Sequence, residues 1–316
     1  MSKWGITMPL TGVPLAAHRD LVRELADLGY TDVWSMETAG TDAFTPLALI
    51  ADWAPGLRLG TAIAPIYTRG PGLLAMSAAT IAELAPGRFV LGVGTSSPVI
   101  VEGWNGVPFA EPYARARDTL RFLRAALVGD KITEDYPTFS VHKFRLERPP
   151  TPPPPVMLAA LRPGMLRLAA READGAITNW LAPTDVPRVR AELGKDRELV
   201  ARIFVCPTED ADAARGIGRL MISSYLTVPV YAAFHEWLGR GEALRPMHEA
   251  WAAGDRKGAN AAISDAVVDD LVVHGSVEYC RERVAAYVES GVDTPVISIV
   301  PTSADPAETV RALAPR

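Results

Sequence analysis

Hydrophobic and polar positions along the 316 residues alternate in a fixed order, a short apolar run followed by a stretch with helical spacing. Trp4–Met8 is the first apolar run. Leu15–Leu28 then sets Leu15, Leu21, Leu25 and Leu28 at helical intervals before Gly29, a helix stop. Thr31–Met36, Leu57–Ile63 and Phe89–Val93 predict three further strands, separated by helices over Phe44–Trp53 and Gly72–Leu84. Starts near residues 4, 31, 57 and 88 leave room for one crossover helix each, which makes successive strands parallel.

After the fourth strand the rhythm changes. Tyr113–Val128 reads as a helix, and Lys131–Leu146 alternates about a turn at Tyr136-Pro137, a hairpin outside the main sheet. Pro149–Pro155 is almost all proline and forms a stiff connector. Strands resume at Val156–Ala160, Gly175–Thr178, Ile203–Val205 and Pro295–Val300. Helices cover Met165–Glu172, Thr184–Leu193, Val277–Ser290 and Ala307–Leu313. Eight strands alternating with helices predict an α/β fold, a (β/α)₈ TIM barrel forming one domain over residues 1–316. A doubly wound open sheet is the alternative.

One segment, about 211–273, holds helical stretches and no convincing strand, a helical insertion before the last βα unit. Tyr225, Val228, Val230, Tyr231, Phe234 and Trp237 give it an apolar, aromatic face. That face either packs on the barrel wall or covers the barrel mouth as a lid.

Composition narrows the function classes. Hydrophobic residues at 48% and charged residues at 22% exclude wholesale disorder. Lys+Arg 32 against Asp+Glu 37 gives a net charge of −5, which argues against binding nucleic acid. No apolar run approaches the roughly 18 residues that span a membrane. Met1–Ile6 leads directly into a strand without the regions of a signal peptide, so a cytoplasmic location is expected. Cys206 and Cys280 make neither a disulfide framework nor a zinc site and read as packed thiols.

Barrel chemistry gathers at the C-terminal ends of the strands. Here those ends carry no histidine, no metal-ligand spacing, no pair of carboxylates and no Gly-x-Ser-x-Gly elbow. Such a site points to a bound cofactor acting on a small-molecule substrate. Glu37 ends the second strand, as a carboxylate facing the mouth or as the solvated start of a loop. Gly92–Pro98 supplies flexible backbone and the hydroxyls of Thr95, Ser96 and Ser97, a nest for a phosphate or ring carbonyl, or an ordinary turn. It lacks the third glycine of a Rossmann turn. Ala160-Leu161-Arg162-Pro163-Gly164 opens a helix whose free amides attract anions, with Arg162 adding charge or simply facing solvent. Asn179 offers an amide that both donates to and accepts from a heterocycle, or caps a turn. His235, in the insertion, would meet a substrate only beneath a closed lid.

Three stretches, Gly60–Pro71, Gly87–Thr95 and Ala173–Trp180, together with Gly254-Asp255 and Gly291–Pro295, resemble the luciferase-like flavin monooxygenase superfamily. Within it they are similar to the branch that uses the deazaflavin coenzyme F420. The resemblance implies a barrel, a homodimer, and a cofactor ring in the barrel mouth. It implies a non-prolyl cis peptide at Thr61-Ala62, with those two residues against the ring. By the same matching Thr95, Ser96 and Ser97 line the cofactor, Ala159, Ala160, Leu161 and Arg162 hold its phosphate, and Glu37 occupies an acidic position. Two departures stand out: Thr38 where sugar-phosphate dehydrogenases of this branch carry histidine, and Ser97 where some carry an acid.

Those departures argue against oxidation of a sugar phosphate. The expected activity is an F420-dependent oxidoreductase acting on a small, hydrophobic organic substrate, with Glu37 or a lid residue such as Tyr231 or His235 exchanging the proton. An FMN-dependent monooxygenase and a flavin-binding protein without catalysis are the alternatives. The longer acidic tail of the deazaflavin would suit basic residues beyond Arg162, with Lys143 and Arg145 as candidates.

Overall fold

Eight short parallel strands carry the core of the structure, a computed structural model that describes residues 3–302 and 304–315. Met1 and Ser2, at the head of the opening segment, lie outside the described residues. In order the strands are Gly5–Thr7, Asp32–Ser35, Arg58–Thr61, Phe89–Gly94, Val156–Ala159, Gly175–Asn179, Glu198–Pro207 and Thr294–Ile299. Each pairs in parallel with the next, and the eighth closes on the first with Gly5 opposite Val296 and Ile6 opposite Ile297. The sheet is therefore a closed (β/α)₈ barrel, and the open doubly wound alternative is excluded.

Two strands differ from the sequence pattern. The seventh runs over Glu198–Pro207 rather than only Ile203–Val205. Glu198 and Arg202 interrupt its apolar run, yet they share the period-two phase of Val200 and point into the barrel. Val272–Gly275, at the end of the insertion, is a strand that pairs alongside the seventh. The expected hairpin is present as Ile132–Tyr136 and Phe139–Phe144, packed on the helix Pro112–Leu127 through Phe122.

Layers of side chains fill the barrel from one end. At the N-terminal end of the strands Arg58 meets Asp32, reaches Glu198 at 2.7 and 3.0 Å, and donates to Thr294 at 3.0 Å. Lys3 adds a bond to Glu198 at 2.7 Å. Burial alone would push the Glu198 carboxyl up, but Arg58, Lys3 and Thr294 outweigh it and bring it down to about 2. Above this plug lies an apolar layer of Trp34, Val90, Met157, Ile177, Val200 and Val296, all buried. The barrel is thus sealed below, and chemistry is confined to the other end.

The insertion forms helices over Ala211–Leu226, Pro229–Trp237, Gly241–Ala252, Arg256–Ala261 and Asp265–Leu271. Its own core of Ile222, Leu226, Leu244, Met247 and Val268 includes Trp180 and Phe204 from the sixth and seventh strand ends. An ion pair between Arg240 and Asp185 at 2.8 Å ties it to the loop after the sixth strand. Among the described residues no single helix is long and apolar enough to cross a membrane.

Candidate active site at the barrel mouth

The floor of the mouth is built from backbone and small side chains. Thr61 ends the third strand fully buried, its hydroxyl donating to the Gly92 carbonyl at 2.7 Å and accepting from the Gly92 amide at 2.9 Å. A Cβ at Gly92 would lie 1.9 Å from the Thr61 carbonyl oxygen, so this close approach requires glycine. The Ala62 amide still donates to Ser35 at 2.6 Å, and the cis peptide comes one bond later, at Ala62-Ile63 instead of Thr61-Ala62. Ile63 and Ala159 then crowd Gly94, where a Cβ would sit 3.0 Å from Ile63 and 2.8 Å from Ala159.

One wall carries charge. Arg69 Nε reaches the two Glu37 carboxylate oxygens at 2.9 and 3.1 Å, Arg69 Nη2 adds a bond at 2.7 Å, and the Ala43 amide donates at 3.0 Å. Arg69 also lies 3.5 Å from Asp42 and over the Phe44 ring. Glu37 faces a cavity of about 460 Å³ with Thr38, Pro65, Thr68, Arg69, Leu73, Ile100, Trp104 and Asn105. Its carboxylate is oriented and ion-paired rather than free. Thr38, the residue that departs from the histidine of the sugar-phosphate dehydrogenases, shares this lining, whereas Thr61, Ala62, Thr95, Ser96, Ser97, Ala159, Ala160, Leu161, Arg162 and Asn179 lie outside it.

Thr95, Ser96 and Ser97 are half-buried in the loop after the fourth strand, and Ser96 takes a left-handed conformation at φ 60. The Ser97 carbonyl accepts from the amides of Ile100 and Val101, which starts the helical segment Val99–Trp104. Ala160 is buried, its amide bonded to the Ile177 carbonyl, while Leu161 is half-buried. Arg162 is exposed at the N-cap of the helix Pro163–Glu172, and its side chain does not cap that helix. Lys143 lies in the hairpin, its amide donating to the Thr133 hydroxyl. Arg145 donates to the Gly129 carbonyl beyond the C-terminus of Pro112–Leu127, at the end of the barrel opposite the mouth.

The other wall is aromatic. Asn179 donates to the Tyr231 hydroxyl at 3.2 Å, the point where the insertion meets the strand ends. Trp180, left-handed at φ 53 and buried, packs on Phe204 at 4.2 Å and Tyr225 at 5.2 Å. Beside Asn179, in register with it, Arg202 donates to Ser298 at 2.8 Å and lies over the Phe204 ring. Burial raises the pKa of Tyr231. His235 does not reach the mouth: it is fully buried in the insertion, where burial first, then Arg240 and the His248 imidazole nearby, push its imidazole down to about 3. Both cysteines are buried, and burial pushes the Cys280 thiol up to about 12.

A family model described as luciferase-like monooxygenase matches residues 3–294. The chain belongs to this family. A Mycobacterium tuberculosis protein named as a coenzyme F420-dependent oxidoreductase is 28% identical, over 99% of this chain and 98% of its own length. A 5,10-methylenetetrahydromethanopterin reductase of Archaeoglobus fulgidus is 25% identical over 92% of this chain and 91% of its own. The coenzyme F420-dependent tetrahydromethanopterin reductase of Methanopyrus kandleri has the same fold, with a TM-score of 0.82 at 18% identity over 99% of this chain and 97% of that one.

Within this luciferase-like barrel Ala62 and Ala159 lie at the floor, Glu37 on the charged wall with Arg69, and Asn179 against the aromatic wall. Thr61 lies below the floor with its hydroxyl engaged by Gly92. Arg69, Trp180, Arg202 and Ser298 escaped the sequence reading. Arg69 and Trp180 lie inside the resembling stretches, and Arg202 shows itself only as a charge in phase with Val200 and Phe204.

Proposed function

We propose that this chain is an F420-dependent oxidoreductase that moves a hydride between coenzyme F420 and a small organic substrate at the barrel mouth. The observation that carries this reading is the floor of Ala62, Ile63, Gly94 and Ala159 beside an ion-paired Glu37. Such a floor of small and apolar residues leaves room for a ring, and a bound cofactor would carry the chemistry. A bound deazaflavin supplies two-electron hydride chemistry. Arg162 and the first-turn amides of Pro163–Glu172 suit its phosphate, and Thr95, Ser96 and Ser97 suit ring or phosphate oxygens. The full-length similarity to an F420-named relative supports the same cofactor.

Glu37, oriented by Arg69 and Ala43, is the proton-exchanging group in this reading. Glu37→Gln is expected to lower turnover about a hundredfold while leaving coenzyme affinity within about twofold; unchanged turnover removes Glu37 from the mechanism. A second reading, an FMN-dependent monooxygenase, gains from the position of Arg145 away from the mouth. It also gains from the aromatic wall, which would help shield a reactive site from water. Fluorescence titration of the full chain with oxidised F420 and, separately, with FMN decides between them. Tight binding of F420 alone is expected; preference for FMN would move the assignment to oxygen chemistry, and binding of neither would end both.

A further inference from the structure

Arg202 sits inside the barrel mouth without a counter-ion. Among the described residues it makes no ion pair: its hydrogen-bond partners are the neutral hydroxyls of Ser298, at 2.8 Å, and Tyr225, and its Nε is buried with no partner. Tyr225 and Tyr231 are the acidic groups that act on it, both neutral phenols at ordinary pH. A cation desolvated this far and left unpaired is unfavourable unless something else completes it.

Its neighbours are arranged to help. Asn179, Arg202 and Ser298 stand on three consecutive strands, directly above the apolar layer of Ile177, Val200 and Val296. Ser298 accepts from Arg202, which leaves its own O–H to donate elsewhere. Tyr231 accepts from Asn179 and likewise keeps its O–H. Phe204, Trp180 and Tyr225 supply an apolar flank within ring-packing distance. The group therefore presents donors, one of them charged, against hydrocarbon.

We propose that Arg202, Ser298 and Tyr231 form an oxyanion-reading arc that selects an organic carboxylate with an apolar body as the substrate. This refines the purely hydrophobic substrate suggested by the aromatic insertion, and it rests on the redox reading of the mouth. Guanidinium and carboxylate match as paired donors and acceptors, and the aromatic flank takes the rest of the molecule.

The test uses the full chain and three matched pairs: benzoate and benzyl alcohol, phenylacetate and 2-phenylethanol, cyclohexanecarboxylate and cyclohexylmethanol. Affinities come from calorimetry, with F420 affinity measured in parallel by fluorescence. The wild-type chain is expected to prefer the carboxylate by about tenfold or more in at least one pair. Arg202→Gln should abolish that preference and Arg202→Lys should restore part of it, both with F420 affinity and melting temperature near wild type. No preference in any pair overturns the proposal, as does a preference that survives Arg202→Gln. If Arg202→Gln instead weakens F420 and leaves the carboxylate ratio alone, the arginine serves the coenzyme and the arc is refuted. A wild-type chain that prefers carboxylates but binds no F420 would overturn the cofactor assignment and leave the arc standing.

Discussion

Arg58 and Arg202 point into the same barrel from opposite ends, and the protein treats them in opposite ways. Arg58, at the sealed end, is met by Asp32, Glu198 and Thr294, and these partners outweigh burial to raise its pKa. Arg202, at the open end, is met only by neutral hydroxyls, those of Ser298 and Tyr225, and burial lowers its pKa. A charge that serves the fold is neutralised by the fold, because removing it from water without a partner is costly. A charge left without such a partner in a concave mouth belongs to what enters the mouth.

The widest gap should appear in stability. Arg58→Met strands two carboxylates and is expected to cost about 3 kcal/mol or more, whereas Arg202→Met should cost less than about 1 kcal/mol or stabilise the chain. Denaturant melts of both variants measure this, and equal losses would dissolve the distinction between the two ends. The next effect is pH dependence at the sealed end. The Glu198 carboxyl is depressed to about 2 in the folded chain, so its stabilisation is complete above the ordinary glutamate range and is lost as pH falls through that range toward 2. Stability followed from about pH 6 to 2 should fall less steeply in Glu198→Gln than in the wild type; parallel curves would show that the Arg58 cluster contributes no linkage. The smallest change in stability is expected at Arg162, exposed on the rim. Arg162→Ala should stay within about 0.5 kcal/mol of wild type and weaken coenzyme binding, and a large loss of stability would recast it as a structural residue.

How much of this was legible in the chain differs by element. The eight barrel strands and their helices followed from apolar periodicity, since each βα unit is short and its pattern is local. The seventh strand was drawn too short because Glu198 and Arg202 look like interruptions until the barrel shows that both face inward. The final strand of the insertion, Val272–Gly275, was missed for a related reason, since it exists as an edge only beside the seventh strand. His235 and Tyr231 stood together as lid candidates. Four residues apart on one helix, they were separated by packing, one sealed among hydrophobic neighbours and the other bonded to Asn179.

Glu37 was visible as an acid at a strand end, but its state was not. The partner that orients it, Arg69, lies 32 residues away, and Ser298 lies 96 residues from Arg202. Sequence alone determined the barrel, its insertion and the family, because strand and helix periods and motif spacings are properties of neighbouring residues. Tertiary structure alone decided which charges are neutralised and which await a ligand, because solvation and ion pairing depend on groups that only barrel closure brings within a few ångströms of each other.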